Sequence, residues 1–214
     1  MAIETEIKLT IPAHLVSQVK ALLVASGASQ LKKRRLLNWY FDTPDLKLSA
    51  EKVALRIREQ GGTYIQTLKT KGQSVNGLHQ RAEWEWVIEE PVLQLERLLE
   101  TEWPLAAQSN EWASDLQIIF ETNFDRSIWM LEQAGTLVEI ALDQGEVNYN
   151  SIAGDNYVDE ICELELELKE GSVEQLLAIK SELVAAISEL QPSDISKAQK
   201  GYQLYYKASE AGIS

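Results

Sequence analysis

Polar and apolar residues alternate along several stretches of the chain, with the period of two that is typical of half-buried β-strands. The first stretch, residues 2–11, places Glu4, Glu6 and Lys8 on one face and aliphatic residues on the other. The same alternation, interrupted by Gly, Pro and Asp turn residues, predicts strands over 36–42, 53–59, 64–71, 78–88, 116–126, 136–143 and 159–169. A further short strand is compatible with the pattern near residue 147.

Helices are predicted over residues 12–26, 91–102, 173–190 and 196–208, and Asp194 or Ser196 is the expected N-cap of the last. Many antiparallel strands with helices added at intervals indicate an α+β fold whose sheet is curled or closed. Because the helices need apolar surface to pack on, we expect the apolar strand faces to point outward. The charged faces would then meet across the interior of the sheet.

Several of these strands carry charges of one sign on a single face. Arg56 and Arg58 share a face, Lys69 and Lys71 share another, and three glutamates lie together around Glu165. A solvated outer face is the ordinary explanation for any one such strand. Like charges held this close cost free energy unless an opposite charge binds between them. The whole set therefore favours an interior that binds ions.

The residue types on these faces suit a site for a metal and phosphates. Clustered carboxylates without a nearby histidine or cysteine favour a hard divalent cation such as Mg²⁺ or Mn²⁺ over zinc. Clustered arginine and lysine suit phosphate oxygens, and this many cations suits a chain of several phosphates. A site that holds both kinds of residue is the recurring arrangement for phosphoryl transfer.

Other catalytic signatures do not occur in the sequence, which contains neither GxxxxGK[ST] nor GxGxxG. His14 is expected to face solvent, and His79 begins a predicted strand beside Arg81. Cys162 lies on the apolar face of its predicted strand, which favours a position in the core. We predict no catalytic role for these three residues.

Composition narrows the class of protein. The 214 residues with 45% hydrophobic content predict one globular domain over 1–214. A net charge of -13 argues against non-specific nucleic-acid binding. An acidic N-terminus, short apolar runs and a single cysteine predict a cytoplasmic protein that does not enter a membrane, and they leave its oligomeric state open.

The segment Glu4-Thr5-Glu6-Ile7-Lys8 has the ExExK form of the CYTH domain, also called the triphosphate tunnel metalloenzymes, and the chain resembles this family. Further matching motifs follow in order along nearly the whole chain: Arg56-Ile57-Arg58, Lys69-Thr70-Lys71-Gly72, Arg81 with Glu83, Arg126, Glu163-Leu164-Glu165, and Ser196-Lys197-Ala198 through Gly201-Tyr202. Glutamate-rich strands are common, so the ordered set is far more specific than ExExK alone.

The resemblance implies an eight-stranded antiparallel β-tunnel with a charged interior and flanking helices. It implies that Mg²⁺ or Mn²⁺ is held by Glu4, Glu6 and two of the three glutamates Glu163, Glu165 and Glu167. It assigns phosphate binding to Lys8, Arg56, Arg58, Lys69, Lys71, Arg81, Arg126, and Lys197 or Lys200. It assigns catalysis to Glu4, Glu6, Lys8 and Arg56, with support from Glu83, Glu139 and Asp143.

The activity implied by the resemblance is hydrolysis of inorganic tripolyphosphate, a small linear triphosphate, to pyrophosphate and phosphate. Thiamine triphosphatase and class IV adenylate cyclase are alternatives because the family contains members of those types. A polyphosphate- or nucleotide-binding module with little turnover is the alternative outside catalysis. The acidic half of ExExK favours the enzyme, because binding of an anion alone would need only the cations.

Overall fold

Ten antiparallel strands form one sheet in residues 2–211, the part of the chain that this computed structural model describes. In chain order they are β1 (Ala2–Thr10), β2 (Ser29–Asp42), β3 (Ala54–Gln60), β4 (Thr63–Lys69), β5 (Gln73–Val75), β6 (Leu78–Ile88), β7 (Gln117–Gln133), β8 (Thr136–Asn150), β9 (Asn156–Glu170) and β10 (Gln191–Pro192). Because β1 pairs with both β9 and β6, eight strands close into a barrel in the order β1-β9-β8-β7-β2-β3-β4-β6. The predicted α+β fold with an eight-stranded antiparallel barrel is confirmed.

Helices flank this barrel. The α-helices are α1 (Val16–Ala25), α2 (Lys47–Ala50), α3 (Val173–Ala186) and α4 (Lys197–Ala211), and shorter 3₁₀ segments cover Ala13–Leu15, Leu95–Glu100, Pro104–Glu111 and Ala113–Asp115. Ser196 caps α4, since its Oγ accepts a hydrogen bond from Gln199 N while Gln199 Oε1 accepts one from Ser196 N. Among the described residues, no helix is both long and apolar enough to cross a membrane.

Two apolar clusters lie on the outer face of the barrel, as the sequence predicts. In the first, α1 and α3 cover the aliphatic side chains of β1, β8 and β9, with Val19 and Leu183 packed in the same cluster as Leu164. In the second, the 3₁₀ segments cover Leu55 and Leu68 of β3 and β4. Burial of these faces leaves the opposite, charged faces of the same strands to point inward.

Helix α4 packs on the inner wall instead, so the expectation that every helix lies outside is wrong for α4. Its Tyr202 packs in a cluster with Phe124 of β7, and Phe124 lies on the same strand face as the tunnel residue Arg126. The aromatic ring of Phe120 lies so close to Gly201 that a Cβ atom there would be 2.2 Å from it. One end of the barrel interior is therefore filled by α4, and its first residue, Lys197, reaches the charged part.

The strand bounds differ from the sequence pattern at several places. Strand β2 begins at Ser29 rather than at residue 36, and β8 continues to Asn150, which absorbs the short strand expected near residue 147. Strand β4 ends at Lys69 rather than at residue 71. The short elements α2 and β5 were not predicted. The predicted helix over 91–102 is present only as the 3₁₀ segment Leu95–Glu100.

Candidate active site

The charged inner faces enclose a cavity of about 320 Å³. Thirteen of the residues proposed from the sequence line it: Glu4, Glu6, Lys8, Arg56, Arg58, Lys69, Arg81, Glu83, Arg126, Glu139, Glu165, Glu167 and Lys197. They come from seven strands and from α4, and alternation along each strand directs every second side chain inward. The barrel thus brings together acidic and basic residues that are far apart in sequence.

One group of charges, here called the Glu4 cluster, consists of Glu4, Glu6, Lys69, Arg81 and Glu83. Lys69 Nζ lies 2.7 Å from a Glu4 oxygen and 3.1 Å from a Glu83 oxygen. Arg81 lies 3.2 Å from Glu4 and 3.3 Å from Glu6. The cluster has three carboxylates and two cations, so it carries an excess of negative charge.

A second group, here called the Glu165 cluster, consists of Lys8, Arg126, Asp143, Glu163, Glu165 and Lys197. Lys197 Nζ lies 2.6 Å from Asp143 and 2.8 Å from Glu165, and it also contacts Glu163. Arg126 lies 2.6 Å from Asp143 and 2.5 Å from Glu165. Lys8 completes the group at 3.3 Å from Glu165. Three cations therefore face three carboxylates.

Two arginines of β3 lie between these groups with weaker pairing. The guanidinium of Arg56 is 4.0 Å from Glu83 and donates a hydrogen bond to the Tyr40 hydroxyl at 3.4 Å. Within the described residues, no group accepts a hydrogen bond from the buried Arg56 Nε. Arg58 donates to Asn38 Oδ1 at 2.9 Å and has no carboxylate within 4.0 Å among residues 2–211. These two side chains offer donors to an incoming anion.

The two clusters shift the pKa values of their carboxyl groups differently. Burial opposes ionisation of Glu4, but the nearby Lys69 and Arg81 outweigh it and lower the pKa of Glu4 to about 2. Burial dominates for Glu83 and raises its pKa to about 7, since Lys69 is already paired with Glu4. Burial also opposes ionisation of Glu165, but Lys197, Arg126 and Lys8 hold its pKa well below the usual range. For Arg58, burial and the nearby Arg56 lower the pKa to about 10.

Glu163 and Asp143 do not line the cavity. Their side chains are 2% and 0% exposed and lie behind the wall, where both contact Lys197. Oxygen atoms of Asp143, Glu163 and Glu165 lie within 4.8 Å of one another, but cations of the chain already fill the space between them. These residues hold the cations in place.

The predicted placement of Lys71 inside the tunnel is wrong. Strand β4 ends two residues earlier, and the chain then turns across β6, where a Cβ at Gly72 would lie 2.1 Å from the Gln80 carbonyl oxygen. The exposed Lys71 lines a neighbouring cavity of about 360 Å³ beside His79, which shares Lys69 and Arg81 with the tunnel cavity but does not place Lys71 in it. The alternation of polar and apolar residues in the sequence continues past Lys69, where β4 ends, and therefore gives the wrong side for Lys71.

Lys200, the alternative to Lys197, also lies outside the tunnel. Its Nζ donates a hydrogen bond to the Glu160 carbonyl oxygen at 2.7 Å and lies 3.5 Å from Asp159. It follows Lys197 by three residues, which is about 4.5 Å along a helix axis. Only Lys197, at the first position of α4, enters the charged interior.

The sequence analysis missed several residues of the cavity wall. Its proposed site omits Lys32, Arg34, Tyr40, Glu85, Lys169 and Ser196, all of which line the cavity. Lys32 and Arg34 lie two residues apart on β2 and share a face, which is the same charge pattern as in the other strands. They precede residue 36, where the sequence pattern predicts the strand to begin. Asn38, which positions Arg58, carries no charge and gave no signal.

The expectation that like charges repel one another in the empty site is wrong for most of the cations. Lys8, Lys69, Arg81, Arg126 and Lys197 each have a carboxylate within 4.0 Å. His14 is exposed as expected, whereas His79 is buried and its ring contacts Ser74 Oγ and the Ser193 carbonyl oxygen. His79 therefore has a structural contact that the sequence did not indicate.

The residues present fit a hard divalent cation. Glu4, Glu6, Glu165 and Glu167 line one cavity and supply only oxygen ligands, which is the donor set that Mg²⁺ and Mn²⁺ prefer. In the sheet register Glu6 lies opposite Glu167, and Glu165 lies opposite Lys8. The Glu4 cluster has one more carboxyl group than it has cations, so it can accept such an ion in exchange for a proton.

Comparisons with known proteins agree with this fold. The family model of the CYTH domain matches residues 2–202. An inorganic triphosphatase of Haemophilus influenzae is 34% identical over 201 residues, which are 94% of this chain and 54% of that protein. The chain thus spans about half the length of this relative.

Solved structures of low sequence identity share the architecture. A Hippeastrum protein with a dominant triphosphatase activity superposes with a TM-score of 0.64 at 19% identity, over 94% of this chain and 95% of that one. A protein from Pyrococcus horikoshii gives a TM-score of 0.59 at 18% identity, over 94% of this chain and 98% of that one. At these identities the likeness concerns the fold.

Proposed function

The chain belongs to the CYTH domain family, and we propose that it hydrolyses inorganic tripolyphosphate to pyrophosphate and phosphate with Mg²⁺ or Mn²⁺. The observation that carries this proposal is that carboxylates and cations line one and the same cavity inside the barrel. Such a cavity can neutralise a polyanion and a metal ion together, which is the main requirement of phosphoryl transfer. The name of the Haemophilus relative supports the choice of substrate.

The cations of the wall bind the phosphate chain. Arg58 and Arg56 can bind phosphate without losing a close ion pair, because Arg58 has no carboxylate partner and Arg56 Nε has no hydrogen-bond acceptor among the described residues. Lys8, Lys69, Arg81, Arg126 and Lys197 then exchange carboxylate oxygens for phosphate oxygens. Guanidinium groups bind such oxygens in pairs, which fixes the orientation of the phosphates.

Glu4, Glu6, Glu165 and Glu167 would hold the metal, since these four glutamates reach the cavity. The buried Glu163 instead supports Lys8 and Lys197. This assignment selects Glu165 and Glu167 from the three candidates on β9. When bound, the divalent ion would supply Lewis-acid stabilisation of phosphate oxygens and an activated water.

In the hydrolysis, a water oxygen forms a bond to a terminal phosphorus as the anhydride bond to the next phosphate breaks. The departing pyrophosphate gains negative charge, which the lysines and arginines of the wall stabilise. Lys8 and Arg56, on strands that are separated by β6 and β4, line the same cavity and can contact both products. Catalysis thus rests on position and charge more than on a nucleophilic side chain.

The alternatives with an organic group have less support. Thiamine triphosphate or ATP would need an aromatic or apolar surface for the organic part. Tyr40 lines the cavity, but it stacks on Phe120 with ring centroids 4.6 Å apart and accepts the hydrogen bond from Arg56. Tyr40 is therefore already engaged. A binding module with little turnover would not need the carboxylates that line the same wall.

A cytoplasmic location, a small-molecule substrate and the absence of nucleic-acid and membrane partners stay predictions from the sequence. With a net charge of -13, the protein can bind an anion only where its cations are concentrated, and the tunnel is such a place. Polyanions that are too wide to enter would meet the acidic outer surface and be repelled.

A substrate panel with Mg²⁺ and with Mn²⁺ tests the proposal. Tripolyphosphate should give the highest kcat/KM, compared with pyrophosphate, ATP and thiamine triphosphate, and ATP should yield no cyclic AMP. Glu6→Gln should lower turnover at saturating metal by about a hundredfold or more, as loss of a transition-state electrostatic contact does. Glu132→Gln, at an exposed site on β7, is the matched control. Near-normal turnover in Glu6→Gln would refute the metal site, and faster hydrolysis of ATP would refute the substrate.

A further inference from the structure

The run Lys32-Lys33-Arg34-Arg35 on β2 is divided between the two faces of the barrel wall. Lys33 and Arg35 point outward, where both pair with Asp125 at 2.7 and 3.6 Å. Lys32 and Arg34 point inward and line the tunnel cavity. Among residues 2–211, no carboxylate lies within 4.0 Å of either inner side chain. Of these four adjacent cations, the outer two share one carboxylate, and the inner two have no carboxylate partner among the described residues.

Arg34 also lies opposite another cation. Its cross-strand neighbour in the register of β2 and β7 is Arg126. Like charges directly opposite each other on one sheet face are destabilising. Arg126 is compensated by Asp143 and Glu165, but Arg34 has no such contact. An anion between Arg34 and the deeper cations would remove this cost.

The two inner cations lie toward the end of the tunnel that α4 leaves open. Along β2, Tyr40 and Asn38 are buried, Arg34 is half-buried and Lys32 is exposed. Arg34 is four residues from Asn38, which is about 13 Å along a strand. Arg58, which Asn38 holds, is therefore separated from Arg34 along the tunnel axis as well as across the sheet.

Of the residues that line the cavity, Glu139 of β8 and Glu167 and Lys169 of β9 belong to neighbouring strands of the wall. Lys169 Nζ lies 2.6 Å from a Glu167 oxygen, so these two charges compensate each other. Glu139 and the half-exposed Glu85 also line the cavity, but among the described residues neither lies within 4.0 Å of Lys32 or Arg34. The two inner cations therefore have no close partner, although the chain as a whole has a charge of -13.

We infer that Lys32 and Arg34 form an outer phosphate subsite, which binds the phosphates beyond the third in a linear polyphosphate longer than tripolyphosphate. The inference rests on the proposed function, because the first three phosphates occupy the deeper cations. The chain end would lie at Arg58 and Arg56, and the remainder would pass Arg34 and leave the tunnel at Lys32. The protein would then bind longer linear polyphosphates more tightly than tripolyphosphate.

Two double variants on the same strand provide the test. Lys32→Ala with Arg34→Ala removes the inner pair, and Lys33→Ala with Arg35→Ala removes the same charge from the outer face. Binding of tripolyphosphate and of a linear polyphosphate of about fifteen phosphates is measured by calorimetry. A chelator in the buffer removes divalent metal ions and so prevents hydrolysis during the measurement. Loss of the two charge-assisted contacts to phosphate should weaken binding of the longer chain about tenfold or more.

The expected result is that the inner double variant loses affinity for the longer chain and keeps that for tripolyphosphate within about threefold. The outer double variant should bind both ligands as the wild type does. If both double variants bind the longer chain equally less tightly, the effect comes from overall charge and not from a subsite. If the inner double variant loses the same affinity for both ligands, Arg34 belongs to the triphosphate site. Either result, or wild-type protein that prefers tripolyphosphate, would overturn the inference. Hydrolysis of tripolyphosphate by the wild type, measured separately, tests the proposed function independently of these outcomes.

Discussion

The Glu4 cluster and the Glu165 cluster use the same residue types but differ in charge balance. The Glu165 cluster matches three carboxylates to three cations, and two of its carboxylates are almost fully buried. The Glu4 cluster has three carboxylates and two cations, with side chains that are 11–18% exposed apart from Glu6. A buried and balanced cluster fixes the positions of its members. An unbalanced cluster can accept another cation or a proton.

Glu83 shows what this imbalance does. Glu4 lies closer to Lys69 than Glu83 does, at 2.7 against 3.1 Å. One carboxyl group therefore has a pKa of about 2, while the pKa of the other is raised to about 7 by burial. The comparison teaches that pairing, not residue type, decides which carboxyl groups of the tunnel are held ionised and which can take up a proton.

The largest expected effect is on stability, in the Glu165 cluster. Asp143→Ala leaves Arg126 and Lys197 short of a partner in a buried site, which should cost about 3–5 kcal/mol of unfolding free energy. Urea unfolding at neutral pH measures it. Asp125→Ala, which breaks the surface pair with Lys33, is the control and should cost less than about 1 kcal/mol. Similar costs for both variants would remove the distinction between a rigid cluster and ordinary surface pairs.

Metal binding is the next largest effect and should depend on the Glu4 cluster. At a hundredfold excess over its dissociation constant, Mg²⁺ or Mn²⁺ should stabilise the folded protein by about 2.7 kcal/mol. Glu4→Gln removes a carboxylate that lines the cavity and should abolish the gain, whereas Glu132→Gln should keep it. Thermal melts with and without metal provide the measurement. An undiminished metal shift in Glu4→Gln would place the ion elsewhere.

A smaller effect concerns the pH dependence of stability at Glu83. Its pKa is about 7 in the folded protein against a usual value of 4.5, so the folded state binds its proton more tightly. The stabilisation of the folded state by this proton is fully present below pH 4.5 and is lost as the pH rises through 7. Glu83→Gln cannot ionise, so above pH 7 it should be more stable than the wild type by on the order of 2 kcal/mol.

Glu85→Gln is the matched control for this prediction, because Arg56 and Arg58 outweigh burial and lower the pKa of Glu85. That substitution should leave stability unchanged or reduce it above pH 5. Chemical unfolding at pH 4, 6 and 8 separates the two variants. If Glu83→Gln and the wild type have the same pH profile, burial does not raise the pKa of Glu83, and Glu83 does not hold a proton in the folded protein near neutral pH.

The smallest expected effect comes from the anchor of α4, which carries Lys197 into the Glu165 cluster. The Tyr202 hydroxyl donates a hydrogen bond to the buried Asp42 at 2.8 Å. Tyr202→Phe should cost about 1 kcal/mol, because backbone N–H groups of Leu48 and Ser49 still donate to Asp42. Tyr206→Phe, at a half-exposed site, should have no measurable effect. Equal stability of the two variants, measured in urea, would mean that the anchor contributes nothing to the rigid cluster.

Sequence alternation predicted most of this site because one geometric rule applies to every strand. A side chain two residues from Glu4 or Arg56 points the same way whatever the rest of the fold. The rule does not give the ends of a strand. It therefore assigns Lys71 to the tunnel although β4 ends at Lys69, and it does not reach Arg34 because β2 begins earlier than the pattern indicates. It does not give cross-strand neighbours either. The exchange of partners among Glu4, Lys69 and Glu83 depends on a register that only the closed barrel provides.

The inner position of α4 could not be read from the sequence for a related reason. Phe120 and Phe124 of β7 lie on the same face as Arg126, so one strand face changes from aromatic to charged within a few residues. From the sequence alone, an apolar residue on that face is expected to belong to the core outside the barrel. Phe120 and Phe124 instead pack with Tyr202 of α4 inside it. Local periodicity cannot indicate a contact between positions so far apart in the chain.

Closure of the barrel by β1 has a consequence for how the protein folds. Strand β1 is the first to be synthesised, yet its pairing with β9 joins Glu6 to Glu167, near the opposite end of the chain. Contacts of such long sequence separation form slowly, because the entropy of the intervening loop is lost first. The glutamates and the lysine of ExExK therefore remain on an unpaired edge until β9 arrives. We therefore expect the charged tunnel to be assembled in the same late folding step that completes the barrel.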